Sequence, residues 1–295
     1  MGRFVRDILI TLAMGAVLLV VADLLCPLPE CNYSTKAKYL KEHNNEIKTL
    51  VIGHSLGEAG FNTHVLGDSA YCFAISGRVL HSDMLLMERY LPALENLSAV
   101  VLPLHYNLHP YSRFDDETIQ YTKEYIYRYY RYYGLRIDTL PYGLIYRSAI
   151  ASGNFHHVST PETEPCDEVG YTKRDYVWDG EEVGSNPPNQ LSVKQSIEYL
   201  TAMAMMLSER GVRFIVVVPP FPELYMESFT DEGVRNLQLI ADSVNKHYPM
   251  EYKCYLTDSL FRSDSLYSNW NHLNHRGATL FAQRVKEDFD FSSRY

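Results

Sequence analysis

Leu50-Val-Ile-Gly-His-Ser-Leu-Gly-Glu58 is an apolar run that ends in a glycine and is followed two positions later by a serine. Short apolar runs of this kind are expected of strands buried on both faces. Gly53 lets the chain turn sharply, so Ser55 falls at the carboxyl end of the strand. In open parallel α/β sheets that is where sites form. A serine at a strand-to-helix turn either caps the following helix or offers its hydroxyl and a backbone N–H to a reacting carbonyl. This stretch alone leaves both roles open.

Four similar runs follow along the chain: Tyr71-Cys-Phe-Ala-Ile-Ser76, Ala99-Val-Val-Leu-Pro-Leu104, Arg213-Phe-Ile-Val-Val-Val-Pro219 and Tyr252-Lys-Cys-Tyr-Leu-Thr257. Helical patterns lie between and beyond them at 83–95, 115–133, 190–210, 231–247 and 275–288. Strand–helix alternation requires right-handed crossovers and a parallel sheet covered on both faces. The expected fold is therefore an α/β, flavodoxin-like three-layer sandwich with a five-stranded parallel sheet. Residues 150–190 carry no clear periodicity and are too long for an ordinary connector, which reads as a lid or an insertion at the site. The Tyr- and Arg-dense stretch at 121–146 is either a packed helix or an aromatic platform for sugar rings.

The second informative segment is Tyr267-Ser-Asn-Trp-Asn-His272-Leu-Asn-His-Arg-Gly277-Ala. A histidine placed after the last strand, opposite a serine on the first, is the arrangement that activates a hydroxyl by general-base catalysis. Taken together, Gly53-His54-Ser55-Leu56 and Asn269-Trp-Asn-His272-Leu-Asn-His-Arg-Gly277-Ala278 resemble the SGNH/GDSL hydrolase superfamily over about residues 48–290. The His-Leu-Asn-x-x-Gly-Ala continuation is most similar to its membrane-anchored branch, which includes the alginate O-acetyltransferases and the D-alanyl transfer protein of teichoic acid assembly.

That resemblance implies Ser55 as the nucleophile and His272 as the base. It implies an oxyanion hole from Ser55 and from Gly77 in Ile75-Ser-Gly77-Arg, with Asn107 in Leu104-His-Tyr-Asn107 as a loose third match. Two positions depart from the pattern. His54 stands where the family has Asp, and Asn269 replaces the Asp that supports the histidine. A neutral amide orients an imidazole without stabilising an imidazolium by charge, and in chymotrypsin-like proteases the Asp-to-Asn exchange lowers turnover by about 10⁴. Three readings stand: Asp264 or Asp258 reaches His272 instead, His272 works as a dyad with a backbone carbonyl, or the site is weak or dead. Arg78 and His54 are weaker candidates for touching substrate. His156-His157 and the His105/His109 pair do not have metal-ligand geometry, so no metal is expected. No organic cofactor is implied.

The N-terminus places Arg3 and Arg6 before the 15 uncharged residues Ile8–Ala22. At 1.5 Å per residue these span about 22 Å, against a hydrocarbon core of about 30 Å. Phe4, Val5, Leu24 and Leu25 extend the run to spanning length if Asp7 and Asp23 sit at the interfaces. A retained signal anchor, a signal peptide cleaved after Ala22 and a buried cytosolic helix are the three readings. The anchor is the expectation: residues 1–29 as a transmembrane helix, 30–47 as a Lys-rich tether, and the body on the periplasmic or extracellular side.

Composition excludes other classes. Hydrophobic residues are 46% and charged residues 21%, which argues for a packed core and against global disorder. Lys and Arg number 27 against 36 Asp and Glu, with no basic face, so nucleic acid is not an expected partner. The five cysteines lack C-x-x-C spacing, against a zinc knuckle or a thioredoxin-like motif. The function expected from the resemblance is a serine esterase or O-acyltransferase. It would act on a small ester or an acylated cell-envelope glycan, with a membrane-bound partner delivering the acyl group. The alternative, favoured by Asn269 and His54, is a weak or inactive binding or assembly module in envelope polysaccharide modification.

Overall fold

The computed structural model describes residues 2–25, 30–105, 129, 132–135, 164–180 and 190–291. Helices α1 (Gly2–Leu25) and α2 (Asn32–Glu42) come first. The apolar runs then form β1 (Thr49–Val51), β2 (Ala70–Cys72), β3 (Ala99–Pro103), β4 (Arg213–Val218) and β5 (Glu251–Cys254). All pairings between them are parallel, in the order β2-β1-β3-β4-β5. This is the flavodoxin-like order, which reverses beside β1 and opens a crevice at that strand's carboxyl end. β1, β2 and β3 are wholly buried, and the edge strand β5 is half-buried. The continuous apolar runs follow from burial on both faces.

The crossovers carry α3 (Ser55–Glu58), α4 (Leu80–Tyr90), α5 (Gln190–Ser208), α6 (Glu223–Met226) and α7 (Asp231–Asn245), and α8 (His275–Phe289) follows the last strand. α7 buries Leu237, Ile240, Ala241 and Val244, and α8 buries Ala278, Phe281, Ala282 and Val285. Each set is an i, i+3, i+4, i+7 stripe, the spacing that puts one helix face on a sheet. Thr230 caps α7 by accepting from Gly233 N–H at 3.0 Å.

One element was not foreseen. β6 (Tyr267–Asn269) and β7 (His272–Leu273) form an antiparallel hairpin between β5 and α8. Asn274 fixes it to α8: its Oδ1 accepts from Gly277 N–H at 3.1 Å, and its Nδ2 donates to the carbonyls of Ser265 and Tyr267. A Cβ on Gly277 would stand 2.1 Å from the Leu266 carbonyl oxygen, so only glycine admits this contact. The His-Leu-Asn-x-x-Gly-Ala spacing is thus the signature of a hairpin locked onto a helix start.

Residues 164–180 are the described core of the expected insertion. They run as an extended strap fastened at both ends. Cys72 N–H donates to Val169 O, Thr172 N–H to Glu58 O, His275 N–H to Arg174 O and Trp178 N–H to Tyr267 O. These bonds make the described part a fixture and not a lid. His156 and His157 lie outside the described residues.

The chain divides into two units, Met1–Ala37 with Phe114–Glu162, and Lys38–Arg113 with Thr163–Tyr295. In the first, Tyr129, Tyr132 and Tyr133 are buried, with ring centroids 5.8–6.0 Å from that of Tyr33. These three tyrosines form an interior, not a platform. α1 is helical over 24 residues and exposes Phe4, Leu9, Leu12, Val17 and Leu18. Among the described residues, however, no helix is long and apolar enough to cross a membrane. Residues 32–42, expected within a tether, form α2 instead, with Tyr33 and Leu40 buried.

Candidate active site

The hairpin explains the spacing of the second motif. Asn269 and His272 are directly paired across a two-residue loop, so their side chains share a face. Asn269 Oδ1 lies 3.0 Å from His272 Nδ1 and also accepts from Asn271 N–H at 3.1 Å. An oxygen that accepts twice fixes the amide's orientation and puts the imidazole proton on Nδ1. His272 Nε2 therefore presents its lone pair, and Ser55 Oγ stands 2.6 Å from it. A hydroxyl at that distance donates to the ring and is oriented for proton transfer.

Ser55 begins α3 directly after β1. The chain turns at Gly53 (φ +106°), and His54 Nδ1 accepts from Leu56 N–H at 3.4 Å as the cap of α3. His54 Nδ1 is also 3.4 Å from Ser55 Oγ, farther than His272 Nε2, so His272 is the stronger acceptor for the serine proton. The His54 ring meets His105 edge-on at 5.6 Å, and His105 meets Phe221 at 5.4 Å.

The turn after β2 supplies the third part. Arg78 N–H donates to Ile75 O, closing a β-turn with Gly77 at its third position at φ +76°. Ser76 before it has an ordinary φ, which makes this a type II turn, and that turn type calls for glycine there. Glu58, buried on α3, accepts from Ser76 N–H at 2.7 Å and from Ser76 Oγ at 2.6 Å through one carboxylate oxygen. Arg78 is also buried. Its Nη1 donates to Phe73 O at 2.6 Å and lies 3.5 Å from Asp83 Oδ1, which accepts from Gly53 N–H at 3.2 Å.

The electrostatics are uneven. His272 is pushed down to about 3, first by burial, then by the Arg174 guanidinium and by the neighbouring His54 ring. Among the described residues no carboxylate bonds the ring, and Arg174 itself is paired with Glu164 at 2.7 Å. The ring is neutral at ordinary pH, hence ready to accept a proton but weakly basic. Burial raises the Asp83 carboxyl, with Arg78 and the Gly53 N–H pulling the other way.

Ser55, His272 and Asn269 are brought together. Gly77 and Arg78 occupy the neighbouring turn. Arg78 points inward to Phe73 and Asp83, so the expected substrate contact is corrected: a residue 2% exposed is a structural tie. The expected acids are corrected too. Both ring nitrogens of His272 are taken by Ser55 and Asn269, while Asp258 holds Arg284 at 3.2 Å and caps the Leu260 N–H. Asp264 is likewise not at the ring. Asn107 lies outside the described residues. Glu58, Asp83 and Arg174 were not foreseen. A Glu inside Leu56-Gly-Glu-Ala-Gly-Phe61 and an Asp inside the apolar face of α4 were the available signals, since buried acids demand partners. Among the described residues, no group of three or more His, Cys, Asp or Glu gathers as a metal would require.

A cavity of about 400 Å³ opens at the carboxyl ends of β4 and β5, lined by Pro220, Phe221, Phe229, Leu256 and Phe261 among others. Ser55 and His272 do not line it. Phe221 on its wall meets His105 at 5.4 Å and Tyr225 at 5.4 Å, and Tyr225 meets Trp270 at 4.8 Å.

No family model matches this chain, and no curated protein does. Among solved structures, it is similar to a Streptococcus pneumonia protein provisionally described as a platelet activating factor. That pair has 12% identity and a TM-score of 0.46, over 94% of this chain and 98% of the other. It is also similar to a Bacteroides fragilis protein provisionally described as an acylhydrolase, with 9% identity and a TM-score of 0.40, over 90% and 93%. Likeness this distant carries no argument about chemistry, and the site is judged on its geometry.

Proposed function

We propose that the chain is a serine esterase or O-acyltransferase of SGNH type. The observation that carries this reading is the relay Ser55 Oγ–His272 Nε2 at 2.6 Å with Asn269 Oδ1 on Nδ1 at 3.0 Å. Ser55 Oγ attacks an ester carbonyl while its proton passes to His272 Nε2. The tetrahedral oxyanion is received by backbone N–H groups of Ser55 and Gly77. Collapse breaks the ester bond, His272 returns the proton to the departing alcohol, and an acyl-Ser55 remains. Water or a glycan hydroxyl, deprotonated by His272, then takes the acyl group and restores the serine. A weak base predicts slow turnover.

We assign the substrate to the class of acylated envelope glycans or small esters. A membrane-side location and a membrane-bound acyl donor are part of the same proposal, supported by the exposed apolar side chains of α1. The test is p-nitrophenyl acetate hydrolysis by the full chain beside Ser55→Ala and His272→Ala. Activity lost in both variants is the expected result, and equal rates in all three proteins would refute the reading. A second reading, a weak or inactive binding module, is favoured by the uncharged Asn269 and the depressed His272. It predicts glycan binding that survives Ser55→Ala, with no hydrolysis by the parent protein.

A further inference from the structure

We infer that Glu58 is a positioning residue for the oxyanion donor, its carboxylate setting where the Ser76–Gly77 turn stands relative to Ser55 Oγ. The inference rests on the acyl-transfer reading above and names a part of that site which the motifs do not contain.

Three observations carry it. First, Glu58 is 4% exposed, and taking a carboxylate out of water is unfavourable unless it is hydrogen-bonded. An apolar side chain would fill the same space without that penalty, so packing alone does not account for an acid. Second, two of its side-chain bonds go to one residue. Ser76 N–H and Ser76 Oγ reach the same carboxylate oxygen at 2.7 and 2.6 Å, lengths typical of charge-assisted bonds. Ser76 is the first corner of the type II turn whose second corner is Gly77. Third, Glu58 shares the four-residue α3 with Ser55, so nucleophile and turn are referred to one rigid piece of backbone. The opposite end of the turn is tied independently, through Arg78 and Asp83, to Gly53 N–H. The oxyanion turn is thereby pinned at Ser76 and at Arg78 to the segment that carries Ser55.

Donor placement matters because one oxyanion-hole donor is worth about 10²–10³ in turnover. A displacement of a few tenths of an ångström forfeits part of this. The substitution Glu58→Gln keeps the shape and weakens both bonds to neutral ones. It is expected to lower kcat for p-nitrophenyl acetate about tenfold, with KM within about twofold and Tm close to the parent. In a Ser76→Ala background the same substitution should cost less, since one of its two bonds is already gone. A kcat within twofold of the parent would overturn the inference. So would a loss confined to KM, or an equal loss in both backgrounds. Failure of the parent reading looks different: wild-type protein that neither hydrolyses the ester nor takes a fluorophosphonate on Ser55 removes the reaction and this inference together.

Discussion

The two halves of the site are held by opposite means. On the nucleophile side, two buried carboxylates, Glu58 and Asp83, tie the turns after β1 and β2 together through N–H groups, a hydroxyl and a guanidinium. On the base side the hairpin holds His272 with an amide, and the Arg174 guanidinium nearby is the wrong sign to stabilise an imidazolium. Geometry is therefore supplied on both sides, but negative charge on only one. The relay is built for orientation, and the base is left weak.

The comparison breaks most visibly at the relay itself. Ser55→Ala or His272→Ala should reduce ester hydrolysis by about 10³-fold or more without unfolding the chain, as read by steady-state kinetics beside a thermal melt. Next comes the packing that places the base. Gly277→Ala forces a methyl group onto the Leu266 carbonyl and should destabilise by about 1–3 kcal/mol, lowering Tm by several degrees.

Supplying the missing charge should sharpen the contrast in the other direction. Asn269→Asp should raise kcat by about tenfold and raise the His272 pKa, so the acid limb of the pH–rate profile moves toward neutrality. In the parent, kcat/KM should stay flat from pH 7 down to about pH 4, because His272 sits near 3. The stability sign follows from the same shift. The folded value lies below the unfolded 6.5, so the unfolded chain binds the extra proton. The contribution of neutral His272 is full above about pH 6.5 and is lost as pH falls toward 3. A Tm-against-pH series should show this slope in the parent and a shallower one in Asn269→Asp. The smallest effect is expected of Arg174→Gln. Removing one repelling charge should shift the acid limb upward by less than Asn269→Asp does.

The sheet was legible because parallel strands buried on both faces read as uninterrupted apolar runs. Leu50–Ile52, Ala99–Leu102 and Phe214–Val218 announce themselves. Ser55 and His272 were legible because each follows a recognisable spacing. The reason for that spacing was not: the Asn269–His272 hairpin is too short to show a strand pattern, and only the pairing explains why positions i and i+3 meet. Glu58 and Asp83 escaped because an isolated acid near a turn looks solvent-exposed until its donors are located, and those donors lie 18 and 30 residues away along the chain. Arg78 stands as a substrate candidate in the sequence for the same reason, its partners Phe73 and Asp83 being visible only once the turn is closed.

The central claim is that His272 activates Ser55 as a nucleophile. Its most direct test is reaction of the full chain with a fluorophosphonate, followed by peptide mass spectrometry, beside Ser55→Ala and His272→Ala. The account predicts a single phosphonylated serine at Ser55, absent from the first variant and strongly slowed in the second. Labelling that is undetectable in the parent, or unchanged in His272→Ala, would contradict it.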